Sequence, residues 1–185
     1  MTPAAAAASS TYLPATTKRL QIVNPLSVVP KGAIGEEAMF RPCLEWLRDQ
    51  GWAGAGQVLL REFPWHGRHV DIAALASCRT TLAIEMKVRD NRRGLDQAAR
   101  NALAFDRSYL ATTVRCSAAL LDAAIEVGVG ILHLAESGRL QEIVACAGPG
   151  PEPTARSILQ REVLRRAQLT GDVRSLLSLP GLQPN

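Results

Sequence analysis

Apolar residues recur along this chain at two spacings, and the switches between them mark out the elements. Phe40, Cys43, Leu44 and Leu47 repeat at helical intervals, which predicts a helix over 35–50 stopped by Gly51 in the C-cap position. Glu36 and Glu37 fall in its first turn, where the helix dipole favours negative charge. Three β-prone stretches follow at 58–63, 69–75 and 81–88. Trp65-His66-Gly67 and Ser77-Cys78-Arg79 are the turns between them, so an antiparallel meander is expected. A polar break at 89–94 leads into a helix over 95–105 and a strand at 108–113. Next come a helix at 117–127, a short strand at 130–134 and an edge strand at 140–145.

The ends of the chain read differently. Residues 1–30 hold Pro3, Pro14, Pro25 and Pro30 among many Ala, Ser and Thr, and are expected to form an arm with a short strand at 20–23. Gly148-Pro149-Gly150-Pro151 breaks the pattern, and an amphipathic helix at 154–169 and a shorter one at 173–179 follow. The expected organisation is an arm at 1–30, a domain at 31–147 and a helical tail at 148–185. A strand-helix-strand alternation after the meander requires a crossover. The fold class expected is therefore α/β, with a mixed central sheet flanked by helices on both faces.

Composition narrows this further. At 185 residues, 47% hydrophobic and 21% charged, the chain suits one globular domain and excludes wholesale disorder. It has no apolar run near the roughly 20 residues that cross a bilayer, and its Ala-rich opening makes a poor secretory signal. No membrane partner is expected. Cys43, Cys78, Cys116 and Cys146 lack zinc-site spacing and sit in apolar contexts, so they read as buried free thiols in a reducing cytoplasm. The net charge of +4 and a pI near 9.2 tolerate a polyanionic partner without requiring one. Only three lysines are present, Lys18, Lys31 and Lys87, so Lys87 in the middle of an apolar strand stands out.

Candidate chemistry centres on that strand. In Thr81-Leu82-Ala83-Ile84-Glu85-Met86-Lys87-Val88, alternation puts Glu85 and Lys87 on one side and Ile84, Met86 and Val88 on the other. Two charges there fit either an edge strand with one wet face or a built site, because burying them unpaired costs several kcal/mol. Asp71 is a lone acid in the neighbouring apolar strand, which the hairpin sets beside Glu85. Carboxylates on adjacent strands repel unless a cation or proton joins them, and Mg²⁺ or Mn²⁺ suits such an oxygen site. A structural Asp71–Lys87 ion pair is the plainer alternative. Glu36 lies near the buried face of the first helix, where it could reach the same site or remain a solvated helix-end charge. Arg89, Arg92, Arg93 and Arg100 cluster after Lys87 and could grip phosphates.

An acid, a gap and then Glu-x-Lys on adjacent strands behind an acidic helix resembles the PD-(D/E)XK nuclease superfamily. The likeness spans 31–134. It includes Lys31-Gly32-Ala33-Ile34-Gly35-Glu36-Glu37-Ala38 with Leu44, Leu47 and Gly51, which is similar to the family's opening helix, then the Asp96-Gln97-Ala98 helix and Asp106-Arg107-Ser108-Tyr109. The late strand at Val127-Gly128-Val129-Gly130 completes the set. The resemblance implies a restriction-endonuclease-like core and metal-dependent hydrolysis of DNA phosphodiesters. Asp71, Glu85 and Lys87 would be catalytic, with Asp71, Glu85 and Glu36 at the metal. It also implies that Gln97 orients Lys87 or a phosphate. A homodimer would match the two strands of a duplex. The alternative is a catalytically silent nucleic-acid-binding or scaffold domain of the same fold. Two positions depart from the pattern: Val70 replaces the proline, and Asn101 stands where some members carry a tyrosine four residues after Gln97.

Overall fold

The computed structural model describes residues 35–54 and 57–169, so the readings on 1–30 and 173–179 lie outside the described residues. The fold is α/β. A six-stranded mixed sheet runs in the order β1 to β6, formed by Val58–Trp65, Arg68–Leu75, Thr81–Lys87, Arg107–Thr112, Gly130–Leu134 and Leu140–Val144. β1, β2 and β3 form the expected antiparallel meander, β3, β4 and β5 are parallel, and β6 returns antiparallel at the edge. The helices are α1 (Glu36–Asp49), α2 (Asn91–Asn101), α3 (Ala118–Glu126) and α4 (Pro153–Leu169). None of the described helices is long and apolar enough to cross a membrane.

Alternation along the strands supplies two apolar faces. Ile72, Leu82, Ile84, Met86, Tyr109 and Leu132 pack on one side against Met39, Cys43 and Leu47 of α1. On the other side, Leu110 and Ile131 meet Leu95 and Ala98 of α2 and Ala124 of α3. Leu60, Phe63, Ala73 and Ala83 meet Leu159 and Val163 of α4 on that same side. The segment expected as a helical tail thus covers β1 and β2, with Leu159 and Val163 fully buried.

Local chemistry sets the ends of the elements. The α1 stop is a Schellman turn: Gly51, at φ 75°, donates its amide to the Arg48 carbonyl, and Trp52 donates to Leu47. The β1–β2 turn closes on two residues, His66 and Gly67, both at positive φ, a geometry whose twist matches the strands it joins. Two expectations are corrected. α2 begins at Asn91 rather than 95, because the Asp90 carboxylate accepts the Arg93 amide and caps the helix four residues early. Cys78 is exposed in the turn before β3 and only Cys43 is buried, so the reading of four buried thiols fails there; all four are free.

One irregularity positions the site. The β2–β3 ladder ends at Ile72 opposite Ile84, whereas β1 and β2 stay paired out to Trp65 and Arg68. Val70 packs toward α4 and Ile72 toward α1, so Asp71 sits where β2 turns away from β3.

Candidate active site

Where β2 leaves, β3 loses its ladder partner on that edge while staying paired with β4 on the other. The amide of Met86 donates instead to Asp71 Oδ2 at 2.6 Å, so the carboxylate stands in for the missing strand. Extending the register by one step brings Asp71 opposite Glu85. Glu85, 2% exposed, accepts a hydrogen bond from Asn101 Nδ2 on α2 at 2.7 Å. Its second oxygen, Oε2, is buried with no partner among the described residues, as is Gln97 Oε1 one helical turn before Asn101.

Lys87 closes β3. A Cβ on Gly94 would lie 2.6 Å from Lys87 Cγ and 2.6 Å from Leu110 Cδ1, so glycine at the start of α2 is what lets the helix seat on the lysine stem. The ammonium donates to the Met86 carbonyl at 2.9 Å and to Glu36 Oε1 at 3.2 Å, and lies 3.9 Å from Asp71 Oδ2. Its stem therefore rests on the α2 side while its charge meets α1, reaching round the end of β3 through the gap that β2 leaves.

Electrostatics follow from this enclosure. Burial raises the Asp71 carboxyl, and the Met86 amide and Lys87 offset part of that rise. Glu85 is pushed up to about 7, first by burial and then by the Asp71 charge, against the pull of Asn101. Two carboxyls that both resist ionisation, one with an orphaned oxygen, offer oxygen ligands of the kind a hard divalent cation takes. Mg²⁺ asks for only one or two carboxylates and takes the rest from water and phosphate. Asp71 and Glu85 fit it. Glu36 does not join them: it is exposed, it pairs with Lys87, and the described residues hold no cluster of three or more His, Cys, Asp or Glu able to bind a metal.

The other expected residues separate. Gln97 is half-buried on α2 and makes no hydrogen bond to Lys87; Asn101 takes the positioning part near Glu85 instead. Asn101 is visible in the sequence only as a departure from the expected tyrosine. Arg92 and Arg93 belong to the first turn of α2, not to a loop. Arg89 and Arg92 line a cleft together with Arg115, whereas Arg93 and Arg100 are exposed on α2 outside that lining.

No protein-family model matches this chain, and no curated protein matches it. A solved structure of a protein of unknown function from Silicibacter pomeroyi is similar over 69% of this chain and 85% of that one, at 24% sequence identity and a TM-score of 0.48.

Proposed function

We propose that this chain is a metal-dependent deoxyribonuclease of the PD-(D/E)XK type, acting at the end of β3 where β2 turns away. The observation that carries this reading is the meeting of a buried Glu85 with an orphaned oxygen, an Asp71 that resists ionisation, and an ammonium 3.9 Å from Asp71. Hydrolysis joins a water oxygen to phosphorus, breaks the bond to the leaving sugar oxygen and transfers a proton from the water side to that oxygen. Negative charge grows on the phosphate as this happens, and the Lys87 ammonium is placed to stabilise it. Asn101 holds Glu85 in one orientation, so the carboxylate need not reorganise. Glu36 gives Lys87 a partner that a phosphate oxygen can replace. Mg²⁺ or Mn²⁺, held by Asp71 and Glu85, would polarise the phosphate and acidify water.

The rival reading is the same fold without catalysis. One observation favours it: the Lys87 ammonium already has a carboxylate and a carbonyl, and no three-ligand metal cluster exists among the described residues. Incubation with supercoiled plasmid and Mg²⁺ or Mn²⁺ separates the two. Nicking by the native protein should slow about 10²–10³-fold in Lys87→Ala. Equal rates in both would end the enzymatic reading, and DNA binding without any cleavage would support the rival.

A further inference from the structure

We propose that the cleft between the starts of α2 and α3 receives a nucleotide unit of the DNA strand, its phosphate gripped by Arg89, Arg92 and Arg115. The identity of the polymer rests on the nuclease reading, but the anion-binding cleft does not. The cleft measures about 620 Å³, within the roughly 300–1,000 Å³ of small-ligand sites and far more than a lone ion needs. It opens beyond the carboxyl ends of parallel β3 and β4, where open α/β sheets take their ligands.

Its walls divide by chemistry. Arg89 and Arg92 come from the entry to α2, and Arg115 from the turn after β4. None of the three guanidiniums is in an ion pair among the described residues. The carboxylate in the lining, Asp90, has one oxygen engaged by the Arg93 amide at 3.1 Å. Three like charges around one hollow repel until an anion sits among them, and the planar guanidinium fork matches phosphate oxygens in pairs. Val114, Leu120 and Ala123 supply an apolar surface suited to a sugar or base.

The framework is preset. Thr112 Oγ1 donates to Asn91 Oδ1 at 2.7 Å and accepts the Val114 amide at 3.1 Å, which ties the start of α2 to the turn after β4. The backbones that carry the three arginines are thus fixed before a ligand arrives, which lowers the ordering cost of binding. Arg89 also lies two residues past Lys87, at most about 7 Å along the backbone, so a strand with one phosphate at Lys87 can lay a neighbouring nucleotide in the cleft.

The test is binding of a fluorescein-labelled DNA oligonucleotide to the full chain in EDTA, read by anisotropy across a salt series. Arg92→Ala and Arg115→Ala should each weaken binding about 5–10-fold and lower the salt slope by about 1. Arg139→Ala removes the same charge from a residue that pairs with Asp49 and should bind like the native protein. If the two cleft variants behave like Arg139→Ala, the proposal fails. Oligonucleotides with a 5′-phosphate or a 5′-hydroxyl identify the phosphate. A gain from the 5′-phosphate that vanishes in Arg115→Ala assigns a terminal phosphomonoester, and equal losses for both assign an internal phosphodiester; either supports the cleft. Failure of the nuclease reading is seen separately, as plasmid nicking that Lys87→Ala leaves unchanged.

Discussion

At the start of β3, Asp106 accepts the Thr81 amide at 2.8 Å and the Thr81 hydroxyl at 2.9 Å, while its other oxygen takes Arg156 Nε at 2.7 Å. The Thr81 hydroxyl in turn accepts the Asp106 amide at 3.0 Å. Four to six residues along the same strand the terms are reversed. Glu85 has one hydrogen bond and one orphaned oxygen, and Asp71, across on β2, has one backbone amide and the Lys87 ammonium at 3.9 Å. Both regions place carboxylates against the sheet. One is closed by donors and ties β3, β4 and α4 together; the other leaves a buried carboxylate oxygen without a donor. A saturated network stabilises a fold, whereas an unsatisfied buried acid costs stability and is kept where a ligand completes it.

The sharpest way to break this contrast is to exchange activity for stability at each end. Glu85→Gln should reduce cleavage by about 10²–10³-fold, while Asp106→Ala should leave cleavage per folded molecule unchanged. Asp106→Ala should instead cost about 3 kcal/mol in urea unfolding, since it orphans the Thr81 amide and the Arg156 guanidinium. If Asp106→Ala abolishes cleavage in the folded protein, the division into structural and functional ends is wrong.

The pH dependence sharpens the same point. Folded Glu85 titrates at about 7 against an ordinary 4.5, so the folded state holds the extra proton between those values. Its contribution is present in full below 4.5 and is lost as the pH rises through 7. In metal-free buffer Glu85→Gln should therefore be more stable than the native protein at pH above about 8, by on the order of 2–3 kcal/mol, with no advantage below pH about 4. Adding Mn²⁺ should recover part of that stability in the native protein and none in the variant. Equal melting temperatures across the pH range would remove Glu85 from the account.

Two smaller effects finish the series. Asn101 favours the ionised form of Glu85, so Asn101→Leu should shift the rising limb of the activity–pH profile upward by about one pH unit. A drop in activity with an unmoved profile would make Asn101 merely structural. Glu36→Gln removes an exposed partner of Lys87 and should change stability by less than about 1 kcal/mol. A larger loss in the unfolding curve would show that Glu36 anchors α1 rather than merely occupying Lys87.

Much of the fold could be read before any coordinates. The meander, the crossover and the helices on both faces follow from spacings within short windows, and β3 shows the expected alternation, with Ile84 and Met86 toward α1 and Ala83 on the opposite face. The early start of α2 was hidden because Arg92 and Arg93 oppose the helix dipole, and only the Asp90 cap and the burial of Gly94 and Leu95 outweigh them. The parts of Asn101 and Arg115 are not legible in the sequence because the groups they sit beside lie many residues away; nothing near Asn101 in the chain announces Glu85, 16 positions earlier.

The order and type of the elements, and the antiparallel neighbourhood of β2 and β3, were determined by the sequence alone, because periodicity and turn chemistry act over neighbouring residues. Where β2 parts from β3, which side the Lys87 ammonium reaches, and which arginines share a cleft were decided by the tertiary structure. Those outcomes depend on how α1, α2 and α4 compete for the two faces of one twisted sheet, and that competition is settled only when all of them pack at once.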